Sequence, residues 1–87
     1  MTYRVIFKPS ALRELSELPV SVRGHIQSQI ALLSENPIPT GSRNLKGLRD
    51  VYRLRAGSYR VLYHVDHSQG VVRILRVRHR RDVYRGL

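Results

Sequence analysis

The sequence predicts a single small α+β domain of order β-α-α-β-β-β, with a helical hairpin packed on one face of a mainly antiparallel sheet. Three observations predict it. Apolar residues alternate over 3–8 and over three runs between 51 and 78, they recur at helical spacing between 9 and 37, and turn-forming residues separate these stretches. A chain of 87 residues is one domain, 1–87, which buries roughly 60 to 65% of the surface its unfolded form exposes. It has no cysteine, so disulfides, thiolate nucleophiles and cysteine-based metal sites are excluded and stability rests on packing.

The first run, YRVIFK (3–8), alternates Tyr3, Val5 and Phe7 with Arg4, Ile6 and Lys8, as a strand with one buried face does. Pro9 and Ser10 then change the period. In PSALRELSEL, Leu12, Leu15 and Leu18 recur among charged residues, which predicts a short amphipathic helix ended by Pro19. A second helix places Val22, Ile26, Ile30 and Leu33 on one stripe and stops before Pro37, because the residue before a proline disfavours helical backbone. The stretch 36–47, rich in Pro, Gly, Ser and Asn, reads as a loop. Strands follow at 51–55, 58–65 and 71–78, separated by Ala56-Gly57 and by 66–70, as an antiparallel meander. The tail HRRDVYRGL is a terminal turn or short helix.

Charge is the strongest functional signal. Sixteen basic residues against six acids give +10, and arginine outnumbers lysine fourteen to two. Residues 1–42 carry a net +1 and residues 43–87 a net +9. Guanidinium grips phosphate bidentately and stacks on bases, so the expected partner is nucleic acid, RNA or a ribonucleoprotein, ahead of a membrane surface or an acidic protein. No segment approaches the 18 or so apolar residues of a membrane span, and the expected location is the cytoplasm.

Strand pairing gives the arginines a geometry. With an even first turn, Arg55 lies opposite Ser58 and Arg53 opposite Arg60; with Val65 opposite Val71, Arg60 meets Arg76 and Tyr63 meets Arg73. Arg53, Arg55, Arg60, Arg76 and Arg78 then share one face, while Tyr52, Leu54, Tyr59, Val61, Tyr63, Leu75 and Val77 form the core face. Arg73 falls on the core-facing side near the sheet's end and is expected to snorkel or to pair with an acid. An odd turn with a bulge would instead turn Arg53 and Arg55 away from Arg60. Like charges set opposite one another destabilise a sheet, and a bound polyanion explains the cluster best.

Four stretches carry a family resemblance: Leu45-Lys46-Gly47-Leu48, Tyr52-Arg53-Leu54-Arg55, Gly57-Ser58-Tyr59-Arg60 and His79-Arg80-Arg81-Asp82-Val83-Tyr84. Over nearly its whole length the chain resembles the RelE/ParE superfamily of bacterial and archaeal toxins. The resemblance implies a toxin of a type II toxin–antitoxin system with a RelE-like fold. It would be a metal-independent endoribonuclease that needs the ribosome, cuts mRNA by 2′-hydroxyl attack without a cofactor, and is neutralised by a cognate antitoxin. A ParE-like gyrase inhibitor, or a homologue that binds nucleic acid or the ribosome without cutting, is the alternative.

Carried onto this chain, the resemblance implies catalytic roles for Arg53, Arg55, Arg60, Arg80 and Tyr84; Arg76 and Arg78 on the arginine face, Lys46 on its loop and Arg81 in the tail are the expected substrate contacts. Arginine stays protonated in proteins, so Arg53 and Arg55 cannot act as a general base. His79 is the candidate proton carrier, because histidine ordinarily titrates near neutral pH; a surface histidine in a basic tail is the plain alternative. His64 is the second candidate, and Lys46 is a phosphate contact or a base. The acids form no carboxylate pair and the histidines show no metal-ligand spacing.

Overall fold

A computed structural model describes residues 2–86. Its elements are β1 (Arg4–Phe7), α1 (Pro9–Ser16), α2 (Val20–Leu32), β2 (Arg43–Asn44), β3 (Val51–Ala56), β4 (Tyr59–Asp66) and β5 (Val71–His79). The five strands form one sheet in the order β1-β5-β4-β3-β2, antiparallel except where β1 runs parallel to β5.

Pro9 opens α1 at a position where its missing N–H is no loss. The buried face of this helix runs through Ala11 and Leu15 to the partly buried Leu18, an i, i+4, i+7 series, and Leu12 is left exposed. The expected spacing of Leu12, Leu15 and Leu18 was therefore one residue out at its start. In α2, Ile26 and Ile30 are buried, followed by Leu33 at its end, with Val22 packed beside them. This helix stops four residues earlier than Pro37 requires, and the Ser34 carbonyl just beyond it accepts the Tyr3 N–H at 2.7 Å.

Both helices lie against one face of the sheet, over Leu54, Ala56, Val61, Tyr63, Val65, Val72, Ile74 and Val77. Tyr52 and Tyr63 stack across β3 and β4 with ring centroids 5.8 Å apart. Fully buried, Tyr63 donates its hydroxyl to the Pro37 carbonyl at 2.8 Å, tying the loop after α2 to the core. Desolvation raises the Tyr63 phenol to about 12, with a smaller push from Tyr52.

Two features of the pairing differ from expectation. The β3–β4 turn is Gly57-Ser58, with Gly57 at φ +60°, the first central position, where a type II′ hairpin turn needs glycine. Arg55 therefore faces Arg60 and Arg53 faces Leu62. A two-residue slip preserves parity, so Arg53, Arg55 and Arg60 still share a face.

The second difference is an irregularity between β4 and β5 at Leu62/Tyr63, where Leu75 has no partner. It rephases β5 so that Val72 and Ile74 on one side of it and Val77 on the other all point into the core. Arg73 consequently lies opposite His64 on the open face and is exposed, rather than on the core side, and Ile74 takes the core position expected for its neighbours. The stretch 36–47, expected to be all loop, contributes β2, which pairs Arg43 with Arg53 at the sheet's edge.

Candidate functional site

The face away from the helices carries the arginines in cross-strand rows. Arg55, Arg60 and Arg78 form one row at the hairpin end, and Arg43, Arg53, Leu62 and Arg76 form the next. The Arg80 N–H donates to the Ser58 carbonyl at 2.9 Å, which continues the β4–β5 pairing and brings Arg80 to the same face. After it the chain turns: Asp82 and Val83 donate their N–H groups to the His79 carbonyl, and Arg85 donates to that of Asp82.

This turn lies over the open face. Leu62 points to that face yet is only 1% exposed, and Val83 is fully buried although neither belongs to the cluster under the helices. Tyr84, the next residue, is 46% exposed.

Arg60 sits at the centre. Its Nη1 donates to the carbonyls of Gly57 and Tyr59, each at 2.8 Å, which folds the guanidinium back over the hairpin turn. Desolvation lowers its pKa from the ordinary arginine value, followed by repulsion from Arg55, Arg53 and Arg80, with Tyr84 opposing them. It remains a cation at neutral pH, but a cation held where its charge is disfavoured. Two nitrogens of Arg53, Nε and Nη2, are out of water with no acceptor among the described residues. Among the described residues, Arg43, Arg53, Arg55, Arg60, Arg80 and Arg81 have no acidic partner.

Other expected contacts are already engaged. Arg78 is ion-paired with Glu14 of α1, which also accepts the Val77 N–H at 3.0 Å. Arg76 donates through Nη1 to the carbonyls of Val83 and Arg85. Each of these two guanidinium groups therefore has a partner within the chain, which strand parity alone does not show. Lys46 lies on the loop between β2 and β3, three residues beyond Arg43 and past the end of β2. Arg81 is exposed on the turn.

The histidines are not among the arginines. His79 pairs with Tyr59, whose side chain packs against the helix-side core, and the two rings meet edge to face at 5.5 Å. Its Nδ1 accepts the Arg81 N–H at 3.2 Å, so the neutral ring keeps its proton on Nε2 and has no lone pair left to offer. His64 is on the open face but opposite Val51, at the far end of β3 from Arg55. The site thus brings together Arg53, Arg55, Arg60, Arg80 and Tyr84, adds Arg43, and leaves His79, His64 and Lys46 outside. Arg43 escaped sequence reasoning because two residues of strand carry no detectable alternation.

Such a surface can hold a phosphodiester, stabilise charge that develops on it, and stack a base on Tyr84. No three His, Asp or Glu side chains come together as a metal site among the described residues.

Known proteins resemble this chain in sequence and in fold. The family of the ParE toxin of type II toxin–antitoxin systems, parDE, matches residues 5–84. Toxin RelG of Mycobacterium tuberculosis is 36% identical over 86 residues, covering 98% of this chain and 99% of its own. The mRNA interferase toxin RelE of Escherichia coli is 32% identical over 88 residues, covering 97% and 92%. The archaeal RelE–RelB complex of Pyrococcus horikoshii contains a chain that superimposes with a TM-score of 0.82 at 31% identity, covering 95% of this chain and all of that one.

Proposed function

The chain belongs to the RelE/ParE superfamily of type II toxins, and we propose that it is a RelE-type mRNA interferase: a ribosome-dependent endoribonuclease silenced by a cognate antitoxin. The observation that carries this reading is the Arg60 cluster, four guanidinium groups with no acidic partner among the described residues, beside an exposed tyrosine.

In RNA cleavage of this kind the 2′-oxygen attacks the adjacent phosphorus and the 5′-oxygen leaves. Negative charge grows on the non-bridging oxygens and then on the leaving oxygen. Arg60, Arg55 and Arg80 supply fixed donors for both, and the charge repulsion stored around Arg60 is relieved when a phosphate arrives. Tyr84 stacks the neighbouring base and so aligns the attack. The cluster contains no neutral proton acceptor, so the 2′-hydroxyl proton passes to water or to an oxygen of the RNA.

The antitoxin is expected to bring acidic side chains to Arg53, Arg60 and Arg80. RelE–RelB complexes among the structural relatives support an antitoxin partner, and the mRNA interferase names among the sequence relatives support mRNA on the ribosome as substrate. No helix among the described residues is long and apolar enough to cross a membrane.

A translation reaction on a defined mRNA, read by primer extension, tests this. Wild-type protein should produce cuts only with ribosomes, and an Arg60→Ala, Arg80→Ala variant should produce none. His79→Ala should slow cutting by less than about threefold, against the roughly 10²- to 10⁴-fold that losing a general base costs. Undiminished cutting by the double arginine variant would sink the reading. The ParE family match supports a second reading, gyrase inhibition, which a supercoiling assay separates from the first: blocked supercoiling with intact mRNA would favour it.

A further inference from the structure

We propose that Arg76 is a positioning residue: it latches the C-terminal turn onto the open face of the sheet and thereby sets Tyr84 beside Arg60. The proposal rests on the RNA-cleaving reading for the role of Tyr84, but the latch itself stands on geometry alone.

Arg76 projects from β5 at the row it shares with Leu62 and Arg53. From there one nitrogen, Nη1, donates to two carbonyls of the turn, Val83 at 2.8 Å and Arg85. Among the described residues it is the only side chain that hydrogen-bonds the backbone of 83–86. These carbonyls lie at the trailing end of a hydrogen-bonded turn and accept no backbone N–H among the described residues, so a cationic donor suits them. The far side of the guanidinium lies against Gly86: a β-carbon there would come 3.7 Å from Nη2, and Gly86 has φ +78°, a conformation side-chain-bearing residues resist.

The latch has an apolar counterpart. Leu62, directly opposite Arg76, is withdrawn from water on the open face between rows of arginine, and Val83 is withdrawn with it. A turn of about six residues cannot hold itself in place by its own hydrogen bonds, since a first helical turn is unfavourable in isolation. Arg76 and the buried Val83 supply what it lacks. Tyr84 follows Val83 directly and inherits its position, within electrostatic reach of Arg60.

A phosphate-binding arginine and a latch predict different defects. Removing a phosphate contact weakens binding of the substrate and its salt dependence, whereas removing a latch leaves binding nearly intact and slows the chemical step. The Arg76→Met variant keeps the apolar stem over Leu62 and deletes the donors, and Arg76→Ala deletes both.

In amide hydrogen exchange on the purified chain, the Val83 and Arg85 amides should lose protection in Arg76→Met while the β4 and β5 amides keep theirs. The Tyr84 ring resonances should move toward those of an unstructured peptide. In single-turnover cutting of ribosome-bound mRNA, the rate at saturation should fall about tenfold or more with the half-saturating concentration changed less than about threefold. Combining Arg76→Met with Tyr84→Ala should add little to Tyr84→Ala alone, because the two act as a unit.

Unchanged protection of Val83 and Arg85 would overturn the latch. So would a defect confined to half-saturation, or full multiplicativity with Tyr84→Ala. If Arg76→Ala fails to fold, Arg76→Met still decides. If the wild-type protein cuts no ribosome-bound mRNA, the RNA-cleaving reading falls, and exchange and the Tyr84 ring signals judge the latch by themselves.

Discussion

The two faces of the sheet are built from the same strands and follow opposite rules. Toward the helices the side chains of β3, β4 and β5 are held by packing: Leu54, Val61, Tyr63, Val65, Val72, Ile74 and Val77 are withdrawn from water, and Tyr63 finds the Pro37 carbonyl for its one polar atom. Away from the helices, Arg55 faces Arg60 and Arg43 faces Arg53, pairings that a sheet selected only for stability would avoid. The difference teaches that packing stability is concentrated on one face and unpaired charge on the other, so, on the proposed function, substitutions should divide cleanly between them.

That division can be broken at either face. The largest effect expected is on the helix side: Ile26→Ala leaves a cavity beneath α2 and should cost about 2 to 5 kcal/mol, read from a denaturant midpoint, while folded molecules keep their cutting rate. On the arginine side, Arg80→Ala should lower cutting by about 10²- to 10³-fold, the usual cost of one transition-state donor, with the midpoint unmoved. A core variant that lost activity per folded molecule, or an arginine variant that unfolded, would dissolve the distinction.

A finer test uses Tyr63. Its phenol is raised to about 12 in the folded chain, against about 10 unfolded, so both states are neutral below pH 10 and its contribution is fully present there. Between pH 10 and 12 the unfolded chain loses its proton first, and stability falls. Thermal melts across that window should decline for the wild type and flatten in Tyr63→Phe, which itself costs about 0.5 to 1.5 kcal/mol from the lost hydrogen bond. The smallest effect is a gain: Arg55→Thr removes a charge facing Arg60 and should stabilise the fold by a few tenths to about 1 kcal/mol while slowing cleavage. Slower cutting together with greater stability is the signature of a residue kept for function.

Much of this was legible in the sequence. The alternation of 51–78 placed Arg53, Arg55 and Arg60 on one face, and that survived a misplaced turn because a two-residue slip leaves parity intact. What failed was parity across Leu75. Val72 and Ile74 are even-numbered and Val77 is odd, so no unbroken strand can bury all three, and the bulge that reconciles them also moved Arg73 to the open face. The position of His79 apart from the arginines has a related reason. His79 stands one residue from Arg78 and from Arg80, and on a strand one residue is the opposite face.

The engagement of Arg76 and Arg78 was beyond reach for a different reason. Their partners, the Val83 and Arg85 carbonyls and Glu14, are brought to them by a chain reversal and by helix docking, neither of which leaves a periodic trace. Charge patterning shows where arginines stand but not which of them tertiary structure has already neutralised.

Glu14 has a consequence beyond the charge it cancels. Strand β1 ends at Phe7, opposite Ile74, so the last residues of β5 run on with an open flank, the kind of edge that invites a strand from another molecule. By accepting the Val77 N–H, the Glu14 carboxylate occupies a rung that an incoming strand would need. At the other edge β2 is only two residues long. The Glu14 carboxylate and the shortness of β2 thus each deny an incoming strand part of the edge it would need.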